Sequence, residues 1–155
     1  MVKRAARITK TPACVTTFSA IAGVSPSSTA PAAAAAMAIR ATLTWVREQP
    51  WADAKRIVLA GASMGAWRPI ASASTNPDGV VAYINFSGGT GGSGERRPEH
   101  SCGSETMEAL MAAYGRTTRV TSLWLYAQND SYWGANWPRE WHSAYARHQA
   151  TRRVS

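Results

Sequence analysis

The sequence predicts an α/β fold in which parallel strands alternate with helices. Three apolar runs with the length of strands lie between turn residues, at Ile57–Ala60, Val80–Phe86 and Ser122–Ala127. Stretches of helical periodicity precede, separate and follow these runs. Such alternation is typical of βαβ units, whose strands lie side by side and parallel in one sheet.

The N-terminal segment differs in composition from the rest of the chain. Residues 1–31 hold four basic residues and no acidic one, which predicts a disordered or targeting-like segment. Three interpretations fit it: a secretory signal, a transit peptide, and sequence read out of frame. Residues 32–155 are expected to form one domain.

The elements of this domain follow from periodicity and from turn and cap residues. The alanine-rich stretch 32–48 predicts a helix that Pro50 ends, and the uninterrupted apolar run Ile57–Ala60 predicts a strand buried on both faces. The remaining predictions are a helix over 64–74, a turn at Asn76–Gly79, a flexible glycine-rich loop at Gly88–Gly94, a helix capped by Ser104 and ended by Gly115, and a last helix from Pro138 to about His148.

A Gly-x-Ser-x-Gly segment directly follows the first strand. Gly61, Ser63 and Gly65 lie where this strand turns into the next helix. A sharp strand–turn–helix elbow exposes a serine hydroxyl to solvent. Because the two backbones approach closely there, we expect both glycines to be required by the lack of space for a Cβ. The pattern predicts Ser63 as a nucleophile.

Ser63 and Asp130 are predicted to lie at the same edge of the sheet. Ser63 follows the first strand and Asp130 the third, and the carboxyl ends of parallel strands meet at one edge. A serine nucleophile needs a base, an acid that orients the base, and N–H donors for the oxyanion. We therefore expect Asp130 to be the orienting acid and the Met64 N–H to be one oxyanion donor. The alternative interpretation of Asp130 is an ordinary turn residue.

The base is the weak point of this set. The chain has three histidines, His100, His142 and His148. His100 precedes the acid in a polar stretch, and the other two lie on the last predicted helix. We take His142 as the candidate base and expect weak or absent turnover, because loss of the base costs several orders of magnitude.

Three segments resemble the dienelactone hydrolase-like branch of the α/β-hydrolases: IVLAGASMGAW at 57–67, YINFSGG at 83–89 and LWLYAQNDSYW at 123–133. The resemblance runs from about Ala38 to Ala146. It implies Ser63 as nucleophile, Asp130 as triad acid, and hydrolysis of carboxyl esters or related acyl substrates, often in exported bacterial proteins. Tyr132 and Trp133 would then line the substrate pocket; the alternative is that they only pack the loop. No metal or organic cofactor is implied.

The chain departs from this family at both ends of the domain. The strands before the elbow, with the loop that gives a second oxyanion donor, are missing, and so are the last strand and its histidine loop. We therefore expect a partial α/β-hydrolase, a parallel sheet with flanking helices. Pro69 is expected to disturb the elbow helix at a cost of up to about 3 kcal/mol. The alternative function is that of a non-catalytic hydrolase remnant, which serves as a binding or assembly piece or has no function.

Charge and composition limit the partners. The net charge of +8 comes mainly from residues 1–47, which hold six basic residues and no acidic one. The aromatic cluster from Trp124 to Tyr145 lies elsewhere, which disfavours a nucleic-acid interface. No apolar stretch is long enough to span a membrane.

The two cysteines, Cys14 and Cys102, fit no disulfide framework or metal site, and we expect Cys102 to be a free thiol. Open sheet edges are expected to allow self-association.

Overall fold

The structure, a computed structural model, describes residues 30–150, with side chains over residues 37–147. A short 3₁₀ turn, Ser63–Gly65, joins the first strand to the second helix. The elements in chain order are α1 (Ala30–Arg47), β1 (Ile57–Ala62), α2 (Trp67–Ala73), β2 (Val80–Phe86), β3 (Gly92–Ser93), β4 (Arg97–Ser101), α3 (Ser104–Thr117), β5 (Thr121–Leu125) and α4 (Trp137–Ala150). Of the predicted N-terminal segment, residues 1–29 lie outside the described residues, and the last two begin α1.

The three long strands form one parallel sheet in the order β1-β2-β5. Ala60 of β1 lies beside Ile84 of β2, which lies beside Leu123 of β5. This arrangement confirms the predicted α/β class with a parallel sheet. It also places the carboxyl ends of all three strands at one edge, with β2 between the strand that precedes Ser63 and the strand that precedes Asp130.

The helices pack on one face of this sheet. Tyr83 of β2 is fully buried, and its ring contacts Tyr145 of α4 at a centroid distance of 6.4 Å. Trp124 of β5 contacts the same tyrosine at 5.5 Å. The core on this face is built by buried side chains from the four helices, the sheet and the loops before and after β5: Leu43, Ile70, Ala73, Val80, Tyr83, Met107, Leu110, Met111, Tyr114, Val120, Trp133, Trp141 and Tyr145.

The opposite face of the sheet is exposed in the part of the chain that the structure describes. Val58, Phe86, Leu123 and Leu125 lie on it and are 41 to 50% exposed. The prediction that β1 is buried on both faces is therefore wrong. Its residues alternate between partly buried and exposed, because the described helices cover only one side.

Two helices begin or end at residues other than those predicted. α2 begins at Trp67, after the 3₁₀ turn, so Pro69 lies in its first turn, where an N–H has no partner within the helix. The expected cost of that proline therefore does not arise. α3 continues past Gly115 to Thr117, and a Cβ on Gly115 would overlap the carbonyl oxygen of Tyr145 in α4. Gly115 thus permits the contact between α3 and α4 and does not end the helix.

The stretch between β2 and α3 is more ordered than its sequence predicts. β3 and β4 pair as an antiparallel hairpin, which the sequence analysis missed because the strands are short and polar and contain Pro98. Gly89 and Gly92 lie against the Trp133 ring, so the glycine-rich segment is closely packed. Ser104 makes no side-chain cap for α3, whose N-cap residue is Gly103 with φ 73°. Cys102 is buried and disulfide-bonded, so the prediction of a free thiol is wrong.

None of the described helices combines the length and the apolar character that crossing a membrane requires.

Candidate active site

Ser63 lies at a sharp turn between β1 and α2. It is the first residue of the 3₁₀ turn and is exposed. Its φ of 50° lies in the left-handed region, which costs a non-glycine residue about 1 to 2 kcal/mol. This strained conformation ends the strand, turns the chain abruptly, and leaves the serine side chain at the carboxyl edge of the sheet.

The two glycines that flank Ser63 have different roles. A Cβ on Gly61 would lie 2.5 Å from the Gly65 carbonyl oxygen and 2.7 Å from the Ala66 Cα, so strand and helix start meet there without space for a side chain. A Cβ on Gly65 would meet no atom within 4 Å, and Gly65 has no positive φ. Of the two glycines predicted to be required, the packing therefore requires only Gly61.

A buried polar network supports the back of the elbow. The Gly89 N–H donates to the Ser63 carbonyl oxygen at 3.4 Å. The turn that holds Gly89 is fixed by Asn85, whose Oδ1 accepts the Gly88 N–H at 2.8 Å. The Asn85 Nδ2 donates to the Tyr126 hydroxyl at 2.8 Å, and that hydroxyl donates to the Gly88 carbonyl oxygen.

The sequence pattern did not predict Asn85 and Tyr126 as part of this site. Asn85 is 1% exposed, and burial raises the pKa of Tyr126 well above its usual value. A neutral tyrosine is the form that donates to a carbonyl oxygen, so burial preserves this hydrogen bond. One feature of the sequence could have indicated this network. Asn85 lies within the otherwise apolar strand Val80–Phe86, and a buried amide requires hydrogen-bond partners.

Met64, whose N–H is the predicted oxyanion donor, directly follows Ser63. Met64 is the second residue of the 3₁₀ turn, and N–H groups in a first turn have no partner within the helix. Met64 is 59% exposed. In elbows of this kind, the N–H of the residue after a nucleophilic serine is one of the oxyanion donors.

Asp130 lies five residues past the end of β5, at the same sheet edge as Ser63. Its Oδ1 accepts the N–H groups of Tyr132 at 2.8 Å and Trp133 at 3.2 Å. These bonds are those of a turn aspartate, the alternative interpretation given above. β1 and β5 are two strand spacings apart, about 10 Å, with β2 between them.

The structure does not bring the candidate base to Ser63. His142 lies on α4, and its ring contacts the Trp124 ring on β5 at a centroid distance of 5.3 Å. It lines a groove beside β5 whose lining includes neither Ser63 nor Asp130. His100 is exposed on β4, and the side chain of His148 lies outside the described residues. Within residues 37–147, the Ser63 hydroxyl therefore has no histidine as a hydrogen-bond partner.

The two predicted pocket residues have different environments. Tyr132 is 50% exposed, and its ring contacts that of Trp133 at 5.9 Å. Trp133 is 4% exposed, and its indole N–H donates to the Ser87 carbonyl oxygen at 3.0 Å. Trp133 packs the loop after β5 onto the turn behind the elbow, which is the loop-packing alternative for this residue, whereas Tyr132 is exposed at the surface.

The described residues contain no cluster of metal ligands. No group of three or more His, Cys, Asp or Glu side chains among them is arranged to hold a metal ion.

No protein-family model, curated protein or solved structure matches the chain.

Proposed function

We propose that the chain carries the nucleophile half of an α/β-hydrolase-type site that acts on carboxyl esters or related acyl substrates. The observation that carries the proposal is the elbow. An exposed serine with φ 50° directly follows a parallel strand, and a side chain at Gly61 would overlap the start of the next helix. The order β1-β2-β5 supports it, because nucleophile and acid then follow strands separated by one strand. In this proposal the domain is a partial α/β-hydrolase that resembles the dienelactone hydrolase-like branch.

In the proposed reaction, the Ser63 hydroxyl oxygen attacks the ester carbonyl carbon. The carbonyl oxygen becomes an oxyanion that accepts a hydrogen bond from the Met64 N–H, an interaction worth about 3 kcal/mol in such sites. The alcohol leaves, its oxygen takes a proton, and the acyl group remains on Ser63 until water releases it as the acid. Neither step requires a metal or an organic cofactor.

The proton transfers set the rate that we expect. Because no histidine is bonded to the Ser63 hydroxyl within the described residues, solvent water has to accept its proton. Removal of the base from a serine hydrolase lowers turnover by about 10⁴- to 10⁶-fold, while the oxyanion donors still contribute a residual acceleration. We therefore propose slow acylation at Ser63. The alternative, a non-catalytic remnant that serves as a binding piece, is favoured by the position of His142 in a separate groove.

Hydrolysis of p-nitrophenyl acetate by the native chain and by Ser63→Ala tests the proposal. We expect a small rate above buffer that disappears in the variant and increases when imidazole is added as an external base. Subtraction of the Ser63→Ala rate at each imidazole concentration removes the direct reaction of imidazole with the ester. Equal rates for the two folded proteins at all imidazole concentrations would instead favour the non-catalytic alternative.

A further inference from the structure

The outer edge of β5 adjoins a groove of about 430 Å³. β5 pairs with β2 on one side only, and no described strand pairs with its other side. The Leu125 carbonyl oxygen accepts the Ser87 N–H, which places the backbone groups of Leu125 on the β2 side. Backbone groups alternate in direction along a strand, so those of Ser122 and Trp124 point outward from the sheet.

Polar groups line this groove without a carboxylate among them. The lining includes Ser122, Trp124, Tyr126, Gln128, Arg139 and His142, and no aspartate or glutamate. A groove that presents the Arg139 guanidinium and no carboxylate complements a ligand that brings acceptors and negative charge.

The direction of β5 fixes the orientation of an added strand. The groove lies beside the carboxyl end of β5 and the first turns of α4, where Arg139 and His142 are located. A segment that runs parallel to β5 brings its C-terminal carboxylate to Arg139. An antiparallel segment would bring its N-terminal ammonium to the same guanidinium, which is repulsive.

We propose that this edge binds the free C-terminal end of an extended peptide, which adds to the sheet as a fourth, parallel strand. Its backbone pairs with the outward groups of Ser122 and Trp124, alternate side chains enter the groove, and the terminal carboxylate faces Arg139. This binding site is separate from Ser63, so it stands or fails independently of the proposed hydrolase chemistry.

The test is fluorescence anisotropy with a six-residue peptide of alternating valine and threonine, labelled at its N-terminus and ending in a free carboxylate. Two matched probes are the same peptide with a C-terminal amide and the same peptide N-methylated at every second residue. We expect saturable binding of the free acid below about 1 mM, with binding weakened about threefold to fivefold by amidation, as for an exposed ion pair. The N-methylated peptide should not bind, because it cannot complete the backbone pairing.

Variants of the chain connect this binding to the groove. Arg139→Gln should weaken the free acid about threefold to fivefold and leave the amide unchanged, whereas the exposed Arg116 on α3 provides the matched control Arg116→Gln, with no effect. Ser63→Ala should bind as the native chain does. Absence of saturable binding, equal binding of acid and amide, equal binding of the N-methylated peptide, or an unchanged affinity in Arg139→Gln would each overturn the proposal.

Discussion

Ser63 and Gly61 together define the elbow at the level of single residues. Ser63 adopts a left-handed backbone conformation, and the absence of a side chain at Gly61 allows the start of the helix to contact the strand. Strain of about 1 to 2 kcal/mol at a surface serine persists only where the surrounding structure fixes it, and such positions cluster at functional sites. Asn76, Ser87 and Glu99 also have a positive φ, so the elbow is characterised by this backbone together with its place between β1 and α2.

The two flanking glycines yield a paired prediction. Gly61→Ala should lower the free energy of unfolding by about 2 to 3 kcal/mol, because the new methyl group would overlap the backbone of Gly65 and Ala66. Gly65→Ala should change it by no more than about 1 kcal/mol, because the added Cβ meets open space. Urea unfolding followed by circular dichroism measures both. Equal destabilisation by the two substitutions would show that the elbow is not packed as described.

At the elbow, the residues that form the local turn could be predicted from the sequence, and those that support it through long-range contacts could not. A serine between glycines after an apolar strand predicts the turn, because local chain geometry alone requires it. The support from Asn85 and Tyr126 was not predicted, because those residues are 41 positions apart and meet only in the folded sheet. The position of His142 depends on the same long-range packing, so its chain order after Asp130 did not place it beside Ser63.

At the level of elements, periodicity located the main helices and strands, and tertiary contacts set where they end. The predicted strand Val80–Phe86 has the same bounds in the structure. The C-terminal end of α3 differs from the prediction, which expected the conformational freedom of Gly115 to end the helix. In the structure, the small size of Gly115 instead allows a close contact with α4. The hairpin of β3 and β4 was missed because two- and five-residue polar strands have no periodic signal.

The contact between α3 and α4 is testable at Gly115. Gly115→Ala should lower the free energy of unfolding by about 1 to 3 kcal/mol, because the overlap with the Tyr145 carbonyl oxygen forces the helices apart. This loss should exceed the gain of about 1 kcal/mol that alanine brings to an unconstrained helix. The neighbouring exposed residue provides a control, Arg116→Ala, with an expected change within about 0.5 kcal/mol. Stabilisation by Gly115→Ala would contradict the close helix contact.

For the whole molecule, the exposed sheet face has the largest physical consequence. Parallel sheets normally have both faces covered, and here apolar side chains from all three strands remain accessible on one face of the described structure. Contiguous apolar surface of this kind drives association. The expectation of self-association, made from the open sheet edges, therefore gains a second physical basis in this face.

Charged substitutions on this face test that expectation. The double variant Val58→Lys and Leu125→Lys should reduce binding of the dye ANS and shift sedimentation velocity profiles toward the monomer, because two ammonium groups disrupt a dry contact. Met37→Lys, at an exposed apolar residue of α1 away from the sheet, should leave both readings unchanged. A native chain that is monomeric at high concentration and binds no dye would contradict the prediction.

Labelling with a fluorophosphonate probe, located by peptide mass spectrometry, tests the central claim most directly. We expect slow labelling at Ser63, loss of that label in Ser63→Ala, and an unchanged rate in His142→Ala, because the His142 ring lies against Trp124 in a separate groove. Circular dichroism of each variant establishes that it is folded. A folded native chain that takes no label, or labelling that persists in Ser63→Ala, would contradict the assignment of Ser63 as nucleophile. Loss of labelling in His142→Ala would contradict the absence of a base.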